Sequence, residues 1–125
     1  AYNLGGAITW LKIKGVPHEY DIISGVRENV ISIMLNLKTL RFKVDENVDS
    51  LQWISQKFKG VGSYNASDLK LPSGIELLNG DVHLFEITDS SVELNIELRI
   101  ENLYKNAAVY MQQIPKVLHN WLPLR

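Results

Sequence analysis

The residues best suited to chemistry in this chain are three histidines and the carboxylates beside two of them. His18 and Glu19 are adjacent, and an imidazole next to a carboxylate is a common general-base pair. His83 and Glu86 form a second candidate, but in an extended strand residues three apart point to opposite faces. His119 has no acidic neighbour. Histidines without a defined spacing are more typical of locally hydrogen-bonded side chains, so a small hydrolase-type enzyme using His18 and Glu19 is a remote alternative.

The sequence contains no recognisable site for a metal or a cofactor. It has no cysteine, and the His-Glu-x-x-His pattern of zinc enzymes does not occur. Gly60-Val61-Gly62 resembles half of a phosphate-binding loop, but the third glycine and the following Lys-Ser/Thr pair are missing. We therefore predict a turn at residues 60–62 and expect no catalytic residue, no metal and no cofactor.

Two basic–aromatic patterns raise the question of nucleic-acid binding. Residues 41–43 and 57–59 each place a phenylalanine between two basic residues, a pattern found in single-strand binding proteins. The whole chain, however, has 13 basic and 14 acidic residues and a net charge of −1. A nucleic-acid-binding face is normally basic. The balance favours a solvated sheet face at both positions, and we expect no direct DNA binding.

One main helix is predicted over residues 25–38. Ser24 is a candidate N-cap, and Glu28 falls in the first turns, where the positive helix end favours an acid. Ile31 and Leu35 lie outside the main apolar stripe and widen the apolar arc to about 200°, against about 100° for an ordinary surface helix. Such a helix is either wedged between a sheet and loops, or presents Ile31 and Leu35 to another subunit. The stripe itself comprises Val26, Val30, Ile33, Met34 and Leu37.

The remaining pattern predicts an α+β fold, a mostly antiparallel sheet with that one main helix. Residues 92–101 alternate apolar and polar over five full periods, which indicates an antiparallel strand with one wet face. Residues 51–59 are predicted to form a hairpin with residues 40–44, and Asn79-Gly80 is a hairpin-type turn. Further strands are predicted at residues 7–14 and 82–88.

Length and composition fit one domain that lies neither in nor on a membrane. The 125 residues are 46% hydrophobic and 22% charged, in the range of ordinary globular proteins. No apolar run approaches the ~18 residues of a membrane span, and no signal peptide is visible, so an intracellular protein is expected. We divide the chain into a leader or expression remnant (1–6), an α+β domain (7–103), and a C-terminal helix with an apolar tail (104–125). Trp121 and Leu124 make that tail a segment in need of a partner.

Several segments, taken in order, resemble one family. They are residues 7–9, 13–20, 25–30, 33–38, 60–72 and 92–101, and His18-Glu19-Tyr20 upstream of Leu35-Asn36-Leu37-Lys38 is the most specific part. Over residues 7–101 the chain resembles the insert region of the N-terminal domain of the bacterial-type DNA-directed RNA polymerase alpha subunit. The Pro17-His18-Glu19-Tyr20 form resembles plastid and cyanobacterial versions. The resemblance therefore implies a place in a transcription complex of the plastid stroma or the bacterial cytoplasm.

The same resemblance implies a non-catalytic assembly role. In the family, two alpha subunits dimerise and form the platform for the large beta and beta-prime subunits, and the helix matching residues 26–38 meets a large subunit. The family's charged positions there match Ser32, where many relatives have an acid, and Lys38. A second alpha subunit is implied only if dimerisation segments are present, and the tail corresponds to re-entry into that region. The implied interface comprises Ile31, Ser32, Leu35, Lys38, Trp121 and Leu124; the alternative is a free-standing protein–protein adaptor.

Overall fold

The computed structural model describes residues 1–18 and 20–105, together with the backbone of residues 122 and 123. One helix, α1 (Val30–Lys38), accompanies eight strands. The strands are β1 (Tyr2–Ile13), β2 (Phe42–Asp45), β3 (Leu51–Lys59), β4 (Gly62–Asn65), β5 (Ile75–Leu77), β6 (His83–Ile87), β7 (Glu93–Asn102) and β8 (Leu122–Pro123). A short 3₁₀ turn covers Ala66–Asp68, and residues 103–105 are helical. None of the helices in this described part is long and apolar enough to cross a membrane.

The strands form two antiparallel sheets. The larger has the order β3-β7-β1-β2-β5, with β8 pairing β1 at Trp10 and Leu11. The smaller consists of β4 and β6. Helix α1 contacts β1 of the large sheet and β6 of the small one. The predicted α+β class, a mostly antiparallel sheet with one main helix, is confirmed.

The core fills the space between the large sheet, α1 and the small sheet. Its members alternate along the strands, as a sheet with one covered face requires. Phe58 of β3 and Phe85 of β6 meet edge to face, with ring centroids 5.0 Å apart, and so join the two sheets. Fully buried members include Leu11, Val30, Ile33, Phe42, Leu84 and Ile87.

Helix α1 begins at Val30, five residues after the predicted start. Gly25 has a φ of +78°, a left-handed conformation that ends any helical path there. The N-cap is Asn29, not Ser24: the Asn29 side-chain oxygen accepts a hydrogen bond from the Ser32 N–H at 2.9 Å. The prediction placed the start too early because Val26 shares the apolar spacing of the helix, although it pairs with Ile87 in an isolated β-bridge.

Three strand predictions also need correction. β1 starts at Tyr2, because residues 2–6, assigned from sequence to a leader, pair with β2. β3 pairs over its full length with β7 and not with β2, so the predicted hairpin is wrong; β2 lies between β1 and β5. The turn at residues 79–80 joins β5 of one sheet to β6 of the other, and therefore closes no hairpin.

The face of β7 that was predicted to be solvent-exposed is exposed along only part of its length. Glu93, Asn95 and Glu97 have access to solvent, but Arg99 and Glu101 are buried. The Arg99 guanidinium donates to Thr9 Oγ1 at 2.8 Å and to Glu101 Oε1 at 3.1 Å. It also lies 4.8 Å from the Trp10 ring. Buried charges persist where they are paired and hydrogen-bonded, and these two meet that condition.

Candidate subunit interface

Helix α1 presents one apolar side chain to solvent in the middle of an otherwise packed helix. Ile31, Leu35 and Lys38 follow the i, i+4, i+7 spacing of one helix face. Leu35 is 58% exposed and Lys38 is exposed, whereas Ile31 and Ser32 are half-buried. The helix is wedged against other elements, as one of the two alternatives predicted, yet this position leaves Leu35 exposed to solvent.

The opposite side of α1 is buried and holds that exposed face in place. Four residues, Val30, Ile33, Met34 and Leu37, are 0–8% exposed. The Asn36 side-chain amide donates to Leu84 O of β6 at 3.0 Å. At the C-terminal end, the Arg41 guanidinium donates to Lys38 O at 3.1 Å and to Leu40 O at 3.0 Å. These bonds satisfy carbonyls that a helix end leaves without partners, so the end of α1 next to Lys38 is well supported.

A groove of about 410 Å³ lies beside this end of the helix. It is lined by residues 4–9 of β1 and by Leu103 and Tyr104. Leu4 and Tyr104 are 58% and 68% exposed. Lys38 and Arg41 line it as well. The arrangement is an apolar groove with two cations, next to the exposed Leu35 face, and its chemistry suits another protein carrying apolar and acidic side chains.

A buried carboxylate holds the chain where it enters α1. Glu28, whose side chain is 10% exposed, accepts hydrogen bonds from the Glu86 N–H at 2.7 Å and from Arg27 at 3.0 Å. His83 Nε2 lies 2.6 Å from Glu28 Oε2 and donates to it, because an ionised carboxylate only accepts. We call this group, Arg27, Glu28, His83 and Glu86, the Glu28 clasp.

The clasp shifts the ionisation of its central carboxyl. Burial acts to raise the pKa of Glu28, but hydrogen bonds from His83, from the Glu86 N–H and from Arg27 outweigh burial. The pKa of Glu28 therefore lies below its ordinary value of 4.5. The charged form is the one that ties the approach of α1 to β6.

The residues predicted as possible catalysts are not brought together. His18 is exposed, while Glu19 and His119 lie outside the described residues. His83 and Glu86 do not point apart as predicted: the Arg27 guanidinium lies 3.4 Å from His83 Nε2 and 3.2 Å from Glu86 Oε1. Within residues 1–18 and 20–105, no group of histidines and carboxylates is placed to hold a metal ion.

The glycines of residues 60–62 and the phenylalanines of the two basic–aromatic patterns lie at a turn and in the core, respectively. Gly60, with a φ of +109°, lies between β3 and β4, and Gly62, with a φ of +148°, is the first residue of β4, so the chain turns here as predicted. Phe42 and Phe58 are buried in the core, so neither ring is available to stack on a base.

Four of the six residues predicted for the interface lie on α1, and their role in binding stays a prediction. These four are Ile31, Ser32, Leu35 and Lys38, whereas Trp121 and Leu124 fall outside the described residues. Sequence reasoning missed Leu4, Arg41 and Tyr104, which meet at the groove only after folding. A scan for exposed apolar residues next to cations would not have found them, because they are separated by up to a hundred positions in the chain.

Comparisons with known proteins give the chain a family context. Residues 11–107 match the family model described as RNA polymerase Rpb3/RpoA insert domain. Three similar proteins carry the name DNA-directed RNA polymerase subunit alpha. The one from Aquifex aeolicus is 46% identical over 99 residues, 78% of this chain and 30% of its own length. The one from Hydrogenobaculum is 37% identical over 97 residues, 78% of this chain and 30% of its own length. The one from Chlorobium phaeobacteroides is 44% identical over 97 residues, 77% of this chain and 29% of its own length. The chain thus spans about 30% of these curated relatives.

Proposed function

We propose, from the premise that this chain belongs to the RNA polymerase Rpb3/RpoA insert-domain family, that it is a structural assembly module of a DNA-directed RNA polymerase. The relatives that support this are named alpha subunits. In this proposal the module binds a large polymerase subunit, beta or beta-prime, and supplies no catalytic residue. Its fold is that of the alpha-subunit insert region, spanning residues 7–103.

The observation that carries the proposal is the exposed Leu35 on a helix whose opposite side is buried. Burying the exposed part of a leucine contributes on the order of 1–2 kcal/mol to association. The apolar groove adjoining it, with Lys38 and Arg41, enlarges the surface and gives it a positive charge. A large subunit with apolar and acidic side chains at the matching position would fit both features.

Two finer parts of the proposal concern the rest of the assembly. Residues 104–125, with Trp121 and Leu124, continue toward the dimerisation region of an alpha subunit, and a second alpha subunit is a partner where that region is present. The complex is the transcription machinery of a bacterial cytoplasm or a plastid stroma; the similar proteins reported above are bacterial.

The test is reconstitution of the chain with the two large subunits of its source. The tagged chain and its Leu35→Asp/Lys38→Glu variant are each mixed with beta and beta-prime, and binding is measured by co-purification and by titration. We expect at least about tenfold weaker binding for the variant, since it replaces one apolar and one basic contact with acids.

A matched variant separates a local effect from a general loss of charge. Val61→Asp/Lys70→Glu makes the same two changes at exposed positions away from α1 and the groove. It should bind like the wild type, and both variants should keep the wild-type circular dichroism spectrum. Equal binding by the wild type and the α1 variant, or a complex that forms without any polymerase subunit, would contradict the proposal.

A further inference from the structure

A second surface lies on the other face of the large sheet, at one end of its central strands. In the pairing of β3 with β7, Lys57 lies opposite Asn95 and Lys59 lies opposite Glu93. On the other side of β7, the Lys14 N–H donates to Asn95 O at 3.0 Å. Lys14, Lys57 and Lys59 are all exposed, and we call these three residues the lysine face. Helix α1 packs on the opposite, core side of this sheet, so the two surfaces do not overlap.

The lysine face keeps an excess of positive charge. Lys57 Nζ lies 2.9 Å from Glu93 Oε1. The hydrogen bond from Lys57 is the largest cause lowering the pKa of Glu93, and the charges of Lys57, Lys59 and Lys14 lower it further. Lys12 and Glu97, which face each other in the pairing of β1 with β7, add one charge of each sign beside Lys14. The three lysines and Glu93 therefore leave about two positive charges for a partner.

Three carboxylates lie at the opposite end of the same strands. Asp45 pairs with Tyr2 at the start of β1, Glu46 follows it, and Asp49 precedes β3. Two lysines lie at that end as well: Lys43 Nζ is 4.6 Å from the Tyr2 ring, and Lys105 Nζ donates to Glu46 O at 3.2 Å. That end therefore carries both signs, whereas the lysine face has a local excess of positive charge, which can attract an acidic partner although the whole molecule is not basic.

The lysine face borders a long sheet edge. β3 pairs with β7 along nine residues on one side, and in the described part of the chain no strand pairs with its other side. Two contacts lie along that other side: the Tyr64 hydroxyl donates to Lys59 O at 2.9 Å, and the Gln56 side chain bonds to the backbone of residues 68 and 70. An edge strand can accept a further strand through its backbone N–H and C=O groups. Side chains alternate with a period of two, so carboxylates at every second position of an added strand would lie beside Lys57 and Lys59.

We propose that the β3 edge and the lysine face bind an extended acidic segment of another polypeptide, which adds to the large sheet as a strand. The strand pairing holds the segment, and the lysines select glutamate or aspartate at alternate positions. A phosphodiester chain is a poorer match, because it cannot pair with a strand edge and because Phe58, between the two lysines, is buried.

The first experiment uses the full chain and a fluorescent nine-residue probe peptide in which glutamate alternates with threonine. We expect saturable binding that weakens as salt rises, since the contacting charges are exposed. The Lys57→Gln/Lys59→Gln variant should bind about tenfold more weakly. Lys105→Gln, an exposed lysine whose Nζ donates to Glu46 O at the other end of the strands, should bind as the wild type does. Thermal unfolding of each variant checks that the fold is kept.

Two comparison ligands and one structural readout complete the test. The same peptide methylated on alternate backbone nitrogens should bind much less, because it cannot form the ladder. Hydrogen exchange of β3 amides should slow when the unmodified peptide is bound. Equal binding of the methylated peptide, unchanged exchange in β3, or tighter binding of a single-stranded DNA of equal charge would each overturn the proposal.

Discussion

Replacing Glu28 with glutamine tests whether a single buried carboxylate fixes the position of α1. In the wild-type chain, Glu28 Oε1 accepts from the Glu86 N–H at 2.7 Å, and Oε2 accepts from His83 at 2.6 Å and from Arg27 at 3.0 Å. Glutamine keeps one acceptor oxygen but turns an NH₂ group toward two donors. The variant therefore loses one or two hydrogen bonds to a charged group and leaves the Arg27 charge less well compensated.

The expected cost follows from these contacts. Hydrogen bonds to charged groups contribute about 1.5–3 kcal/mol each, and breaking a buried ion pair costs about 3–5 kcal/mol. Arg27 is largely exposed and can be solvated, so we take a loss of about 3 kcal/mol for Glu28→Gln. Urea unfolding at pH 7, followed by circular dichroism, measures this directly. As control, Glu86→Gln removes only an exposed ion pair with Arg27 and should cost less than about 1 kcal/mol.

The pH dependence provides an independent check. Because the pKa of Glu28 is lower in the folded chain than its ordinary value of 4.5, its contribution is complete above that value. It is lost as the pH falls through the folded pKa. The wild-type free energy of unfolding should therefore fall more steeply below about pH 5 than that of Glu28→Gln. A variant as stable as the wild type, or one with the same acid dependence, would refute this account of the clasp.

Two further substitutions test the packing of the helix and of the chain leading into it. Leu37→Ala, on the buried side of α1, should lower the free energy of unfolding by about 2–5 kcal/mol. Leu35→Ala, on the exposed face, should change it by less than about 0.5 kcal/mol. Equal effects of the two variants in urea unfolding would show that the buried and exposed faces of the helix are misassigned. Gly25→Ala should cost about 2–4 kcal/mol, because its φ is +78° and a Cβ there would meet Val92 Cγ2. Gly15 has a φ of +81° and nothing within 4 Å of a Cβ placed there, so Gly15→Ala should lower the free energy of unfolding by only about 1 kcal/mol. If the two glycine variants lose the same stability in thermal unfolding, the predicted contact with Val92 is contradicted.

The local sequence pattern predicted the strands and the helix of this fold better than it predicted which strands pair with each other. The period of two in residues 92–101 correctly indicated β7, because alternation records which side chains share a face. It could not indicate that Arg99 and Glu101 are covered, since covering depends on other parts of the chain. The pairing of β3 with β7 was missed for the same reason: their residues meet across about forty positions of sequence.

The candidate interface shows the same division. Ile31 and Leu35 were identified because they lie outside the apolar stripe of a single helix. The start of that helix was misplaced because it is set by the left-handed conformation of Gly25 and by the Asn29 N-cap, which the apolar spacing does not reveal. The groove combines Leu4, Lys38 and Tyr104, so only the folded chain reveals it.

The most direct measurement of the assembly role is site-specific photo-crosslinking from position 35. A photoreactive phenylalanine analogue replaces Leu35, whose exposure lets it be accommodated without disturbing the core, and the chain is irradiated with the reconstituted polymerase subunits. Our account predicts a crosslink to beta or beta-prime that is absent when the analogue is placed at the exposed Val61. Equal crosslinking from both positions, or none to a large subunit from position 35, would contradict it.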